Sequence, residues 1–101
     1  MEHRFEDEKL ERLARDREFD GGLPVEIVKA FRKRVQFIMA AKDERDFYGL
    51  KGIRFEKMRG TRAGERSMRL NDQYRLIVRL ESGSNGKMVV ICSIEDYHKS
   101  K

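Results

Sequence analysis

Four residues near the end of the chain, Glu95-Asp96-Tyr97-His98, bring together two carboxylates, a phenol and an imidazole. The imidazole of His98 can give or take a proton near neutral pH. Asp96, two residues earlier, is close enough in sequence to orient that ring or raise its pKa. Tyr97 can stack on a nucleobase or hydrogen-bond a phosphate. The same run also fits a solvated chain end, and residue types alone do not separate the two readings. A second set of groups lies upstream. In Tyr74-Arg75-Leu76-Ile77-Val78-Arg79-Leu80 the alternation puts Tyr74, Leu76, Val78 and Leu80 on one face of a strand and Arg75, Ile77 and Arg79 on the other. Arg75 and Arg79 are therefore predicted to point to an uncovered face, with Arg69 joining them from the preceding strand. Several guanidiniums on one face suit a phosphodiester backbone, because each donates two hydrogen bonds to phosphate oxygens. Solubilising arginines on an open sheet give the same pattern. Glu56, beside Lys57 and two residues from Arg54, is a further acid–base candidate that nearby cations would hold ionised; a surface ion pair accounts for it equally well.

The elements that must position these groups follow from periodicity. Residues 3–6 form an edge strand or a helix lead-in. Asp7 can cap a helix running to about Arg17, with Leu10, Leu13 and Ala14 on one face. Asp20-Gly21-Gly22-Leu23 breaks the chain, and Pro24, the only proline, suits the first turn of a helix reaching Ala41. Ile27, Val28, Phe31, Val35 and Ile38 make one apolar stripe along it. Lys29, Arg32, Lys33 and Arg34 lie off that stripe and read as a solvated face. Residues 42–52 form a connector. Arg54–Met58 and Arg66–Leu70 are short strand candidates separated by a turn at Arg59–Glu65, with Met68 and Leu70 opposite Ser67 and Arg69. Asn71-Asp72 is a two-residue hairpin connection in which both residues tolerate positive φ. Ser82–Gly86 is a second turn, and Met88–Ile94 is apolar without alternation, as expected for a strand covered on both faces. Helices gathered ahead of a meander give an α+β class: two N-terminal helices packed on a small antiparallel β-sheet.

The chain has 101 residues, the size of one domain spanning 1–101. Its 41% charged content is balanced by 39% hydrophobic residues set in periodic runs, which argues against a disordered tail. A formal net charge of +5 favours a polyanionic partner, nucleic acid first. The single cysteine, Cys92, lies in an apolar run and reads as a buried, inert thiol. No Cys/His cluster has zinc spacing, so no metal and no cofactor are expected. No stretch approaches the roughly 20 apolar residues a bilayer span requires, and the charged N-terminus lacks the core of a signal peptide. A cytoplasmic, non-membrane protein is the expectation.

The run Arg54-Phe55-Glu56-Lys57-Met58-Arg59-Gly60-Thr61-Arg62-Ala63-Gly64-Glu65-Arg66-Ser67-Met68-Arg69-Leu70-Asn71-Asp72-Gln73-Tyr74-Arg75-Leu76 resembles the R-L-E-x-L-x-G-x-R-x-G-x-x-S-I-R-x-N-D-Q-W/Y-R-I signature of HigB toxins, and Asp96-Tyr97-His98 resembles that family's closing D-Y-H. Two motifs in the right order make the likeness specific. It implies the RelE-like microbial RNase fold and cleavage of messenger RNA in the ribosomal A site. It also implies silencing by a HigA-type helix-turn-helix antitoxin, with operator DNA met only through the antitoxin complex. Carried over by matched position, Asp96, Tyr97 and His98 correspond to the family's C-terminal catalytic residues, Arg75 to the arginine of N-D-Q-W-R and Asn71 to its asparagine. Glu56 stands where some members have histidine and many have glutamate. Arg59 stands where lysine is common, and Tyr74 replaces the more frequent tryptophan.

The chemistry this implies is metal-independent transesterification: a ribose 2′-hydroxyl attacks the adjacent phosphorus and the 5′-oxygen leaves. His98 would be the acid, oriented by Asp96, and Glu56 a candidate base. Arg75 would steady the phosphate, helped by Arg59 or Arg69. Tyr97 would position the substrate, and Lys57, Asn71 and Arg79 would complete the RNA-binding face. Two rivals stand beside it: a ParE-like toxin that acts on DNA gyrase without cleaving RNA, and a non-enzymatic basic nucleic-acid-binding module. The nuclease reading requires the imidazole of His98 and the guanidinium of Arg75 to share one solvent-open hollow.

Overall fold

A computed structural model describes residues 1–62 and 64–97. The strand β1 (Glu2–Phe5) is followed by the helices α1 (Glu8–Arg15), α2 (Val25–Ala40) and α3 (Arg45–Tyr48), then by strands β2 (Glu56–Lys57), β3 (Glu65–Arg69), β4 (Tyr74–Gly83) and β5 (Gly86–Asp96). Single 3-10 turns at Lys51–Ile53 and Gly60–Arg62 flank β2.

The local causes are visible in the chain. The Asp7 carboxylate accepts the Lys9 N–H at 2.8 Å and caps α1, whose Leu10 and Leu13 are buried. Asp20 accepts the Gly22 N–H, and Gly21 and Gly22 take φ of +61° and +76°, which reverses the chain before α2. Pro24 stands just outside the helix, its carbonyl accepting from Ile27 and Val28. The predicted stripe of α2 is buried at all five positions. It joins Leu10, Leu13, Phe47, Ile53, Phe55, Met68, Leu76, Val78, Val89 and Ile91 in one core cluster shared by helices and sheet. Burying side chains of this kind supplies the main drive to fold, at about 1.5–3 kcal/mol each.

The five strands run in the order β1-β5-β4-β3-β2. All neighbours are antiparallel except β1, which pairs parallel with β5 from Glu2↔Met88 to Phe5↔Ile91. The sheet is therefore mixed rather than antiparallel. A four-residue strand carries no signal for the direction of a partner more than 80 residues away. β2 is shorter than expected because Arg54 takes a left-handed φ of 48° and breaks extended geometry ahead of it. Between β3 and β4 the connection spans Leu70–Gln73 rather than two residues, and Arg54 is the only non-glycine at positive φ among the described residues. Asn71 achieves the turn through its side chain instead, its Oδ1 accepting the N–H groups of Gln73 at 2.8 Å and Tyr74 at 2.7 Å. Part of the connector 42–52 is helical, as α3.

The register of β4 on β5 shifts once, from Ile77↔Ser93 to Val78↔Ile91. Cys92 is left as an extra residue in β5, which is a β-bulge. Ile77 and Val90 are fully buried outside the main cluster, on the face away from the helices.

Two cations assigned to a solvated face hold the fold instead. Arg32 donates to the carbonyls of Leu13, Asp16 and Phe19 at 2.9–3.2 Å, tying α2 to the end of α1. Arg34 donates twice to the Arg69 carbonyl, joining α2 to β3. Helical spacing shows only which residues leave the stripe, not which carbonyls a long side chain reaches. Replacing Arg32 with Ala should therefore lower stability by about 2 kcal/mol, the scale of hydrogen bonds from a charged donor. Lys33→Ala, at an exposed position, should stay within about 0.5 kcal/mol. Urea unfolding of both variants checks the contrast.

Candidate active site

Arg75 lies on the sheet face away from the helices, as its alternation requires, but that face is not open there. The residue is only 9% exposed. The backbone around Arg54 folds over it, and the Arg54 carbonyl accepts from Nη2 at 2.6 Å. Glu56 Oε1 accepts from the same nitrogen at 3.2 Å. The ring of Tyr97 completes the enclosure, its centroid 5.4 Å from the guanidinium carbon. Tyr97 is held at both ends: its N–H donates to the Gln73 carbonyl at 2.8 Å, and its hydroxyl donates to Met58 Sδ at 3.3 Å. The expectation of an uncovered Arg75 is corrected for a reason that alternation cannot carry. Period-two patterning assigns a face; it does not say whether a distant loop covers it. Among the described residues Arg75 Nε is buried without a hydrogen-bond partner.

Glu56 remains largely exposed, so one carboxylate oxygen side faces solvent while the other meets the guanidinium. Lys57 and Arg59 follow it at exposed positions. Arg69 sits opposite Arg75 in the ladder and pairs with Asp72. Its positive charge and burial both push the pKa of Arg34 down, burial being the larger cause. Asn71 is at the turn, with its carboxamide oxygen committed to the backbone. Asp96 pairs with Tyr74 in the ladder and accepts a hydrogen bond from Gln73 Nε2 at 2.9 Å. His98 lies outside the described residues.

Arg79 does not join this group. It pairs with Glu6 at 2.5 Å and Glu81 at 3.1 Å, and its Nη1 donates to Cys92 Sγ at 3.3 Å. The carboxylates, Glu6 first, raise its pKa further. Cys92 is half-buried rather than buried, and desolvation pushes its thiol up to about 11, so the thiolate is disfavoured at neutral pH.

Between these two clusters lies Arg62, to which the sequence reading assigned no role. It bonds Glu65 at 2.6 Å and takes both oxygens of Glu95 at 2.9 and 2.5 Å. Arg62 thus straps the 3-10 turn onto β5 beside Glu95, the ladder partner of Arg75. The only advance signal was its place within the quoted run of basic and glycine residues. Three surface cavities of about 540, 510 and 450 Å³ lie elsewhere, and none of these three is lined by Arg75, Glu56 or Tyr97. No cluster of three or more potential metal ligands occurs among the described residues, and none of their helices is long and apolar enough to cross a membrane.

A guanidinium, a carboxylate and a phenol ring are thus brought within one contact shell, bordered by the exposed cations Lys57 and Arg59. The exposed cations Lys57 and Arg59 can meet a phosphate, and the exposed carboxylate of Glu56 can exchange a proton beside it.

Comparison with known proteins bears on the same chain. Residues 3–98 match the family model described as the RelE-like toxin of type II toxin–antitoxin system HigB. Toxin HigB-1 of Vibrio cholerae serotype O1 (strain ATCC 39315 / El Tor Inaba N16961) is 34% identical over 83 residues, which cover 82% of this chain and 78% of that protein. Among solved structures, the YoeB/ParE toxin from Agrobacterium tumefaciens aligns with a TM-score of 0.61 over 95% of this chain and 98% of that one. At 11% identity that likeness is one of fold.

The Arg62–Glu95 pair yields a pH prediction. The guanidinium hydrogen bonds hold the Glu95 carboxyl below its ordinary 4.5, against a smaller opposing push from burial. A depressed folded-state pKa contributes stability above 4.5 that is lost as pH falls through the folded value. Glu95→Gln should therefore be less stable than the parent chain at pH 7, and the gap should narrow steadily below pH 4.5. Urea midpoints across that range measure it.

Proposed function

This chain belongs to the HigB-like family of RelE-like toxins from type II toxin–antitoxin systems, and on that premise we propose that it is a ribosome-dependent endoribonuclease that cuts messenger RNA in the A site. Toxins of this family are known as endoribonucleases, and as a toxin of such a system the chain has an antitoxin partner. We assign that partner to the HigA type, with operator DNA reached only through the complex, and we place the reaction in the cytoplasm. The fold in this reading is the microbial RNase fold of RelE toxins.

The observation that carries the proposal is the contact of Arg75 with both Glu56 and Tyr97. The three come from positions 19 to 41 residues apart in sequence, and their common product is a cation aimed at a carboxylate beneath an aromatic ring. A scissile phosphate entering at this point meets Arg75 as the group that steadies charge on its equatorial oxygens. Arg59, with Lys57 beside Glu56, supplies exposed positive charge for the flanking phosphates. Glu56, with solvent on one side, is the candidate base that takes the 2′-hydroxyl proton. Tyr97 stacks on or positions the adjoining nucleotide. His98 is the proposed acid that protonates the leaving 5′-oxygen, with Asp96 beside it in sequence. The chemistry is 2′-hydroxyl transesterification: a bond forms from O2′ to phosphorus, and the bond to O5′ breaks.

Primer extension on ribosomes programmed with messenger RNA tests this. Arg75→Ala should slow cleavage by roughly 100-fold or more, the scale for losing a group that stabilises a transition-state oxyanion. His98→Ala should slow it by about 100-fold or more, as for a general acid. Glu56→Gln should reduce it as well. Wild-type cleavage by both Arg75→Ala and His98→Ala would refute the assignment. A supercoiling defect with intact ribosomal messenger RNA would favour action on gyrase, and RNA binding without cleavage would favour a binding module.

A further inference from the structure

Gln73 is not itself among the groups proposed to meet substrate, yet it holds the end of β5 at two points. Its side-chain Nε2 donates to Asp96 Oδ2 at 2.9 Å. Its carbonyl accepts the Tyr97 N–H at 2.8 Å. Gln73 is itself fixed, because Asn71 Oδ1 accepts its N–H and that of Tyr74. A chain of restraints therefore runs from the Asn71 turn through Gln73 to the residue whose ring covers Arg75. It acts where the ladder ends and strands fray.

We infer that Asn71 and Gln73 form a clip that positions Tyr97 over Arg75, so that both are positioning residues of the site. The inference rests on the nuclease reading for its consequence, but not for its geometry. The side chain of Gln73 matters because it fixes the Asp96 carboxylate one residue before Tyr97. The Tyr97 hydroxyl then reaches Met58 Sδ at 3.3 Å, and the ring settles 5.4 Å from the Arg75 guanidinium carbon.

Met58 makes the geometry measurable. Its sulfur accepts from the hydroxyl of the ring whose position the clip sets, whereas Met68 is fully buried in the core and reports the fold. In protein labelled at methionine methyl groups, Gln73→Ala should move the Met58 resonance and leave that of Met68 in place. Ribosomal cleavage should fall about tenfold in kcat, within the range that a small misplacement produces. Gln73→Glu, which faces Asp96 with a second carboxylate, should do the same. Adding Asp96→Asn to Gln73→Glu restores a donor–acceptor pair with its direction reversed, and should return the Met58 resonance toward its original position whatever it does to cleavage. An unmoved Met58 resonance in Gln73→Ala overturns the clip. A moved resonance with undiminished cleavage, in an assay where Arg75→Ala is impaired, overturns its role in positioning. If Arg75→Ala also cleaves normally, the role assigned to Arg75 fails on its own, and the Met58 resonances still decide whether the clip sets Tyr97.

Discussion

A guanidinium taken almost wholly out of water must be matched by acceptors, because an unpaired buried charge costs several kcal/mol. Arg75 imposes that condition on its surroundings. Its acceptors come from outside its own strand: the carbonyl of Arg54 and the carboxylate of Glu56. To deliver them, the chain before β2 turns through a left-handed residue at Arg54, a conformation unusual for a non-glycine side chain. Phe55, between the two acceptors, is buried in the core and fixes that approach. The truncated β2, the strained residue before it and the burial of Phe55 are thus parts of one arrangement around Arg75.

The bulge at Cys92 sets the other half of the site. With Cys92 as the extra residue, Glu95 comes opposite Arg75 and Asp96 opposite Tyr74. An uninterrupted register would exchange the faces of everything beyond that point. Glu95 would lose Arg62, and the strap across the sheet would lose its anchor. The bulge also keeps Ile94 on the core side with Val89 and Ile91, while Val90 is buried on the far side. That far side is roofed by ion pairs. Arg79 with Glu6 and Glu81, and Arg62 with Glu65 and Glu95, lay their aliphatic stems over the sheet with charged heads toward solvent. Much of the basic character of this face is therefore internally balanced, and the uncompensated charge is left near β2, at Lys57 and Arg59.

The stripe of α2, the Asp7 cap, the Gly21-Gly22 break and the strand faces of β3 and β4 were all legible in the sequence, because each depends on residues within a turn or two of one another. Arg75, Glu56 and Tyr97 were each named as candidates in advance, more from the resemblance than from periodicity, but that they touch was not legible. Arg32, Arg34 and Arg62 were misjudged or passed over for one shared reason. A long cationic side chain on a polar face reads the same whether it ends in water or on a carbonyl or carboxylate 13 to 35 residues away.

What the sequence alone determined is the two longer helices, the faces of β3 and β4, the core residues they carry and the family, since these follow from local periodicity and from ordered motifs. The tertiary structure alone decided the parallel pairing of β1, the register change at Cys92, the enclosure of Arg75 and the tie between Gln73 and Asp96. Each depends on where one backbone segment lies against another. Backbone groups are chemically alike at every position, so the pattern of side chains along the chain does not record which of them will meet.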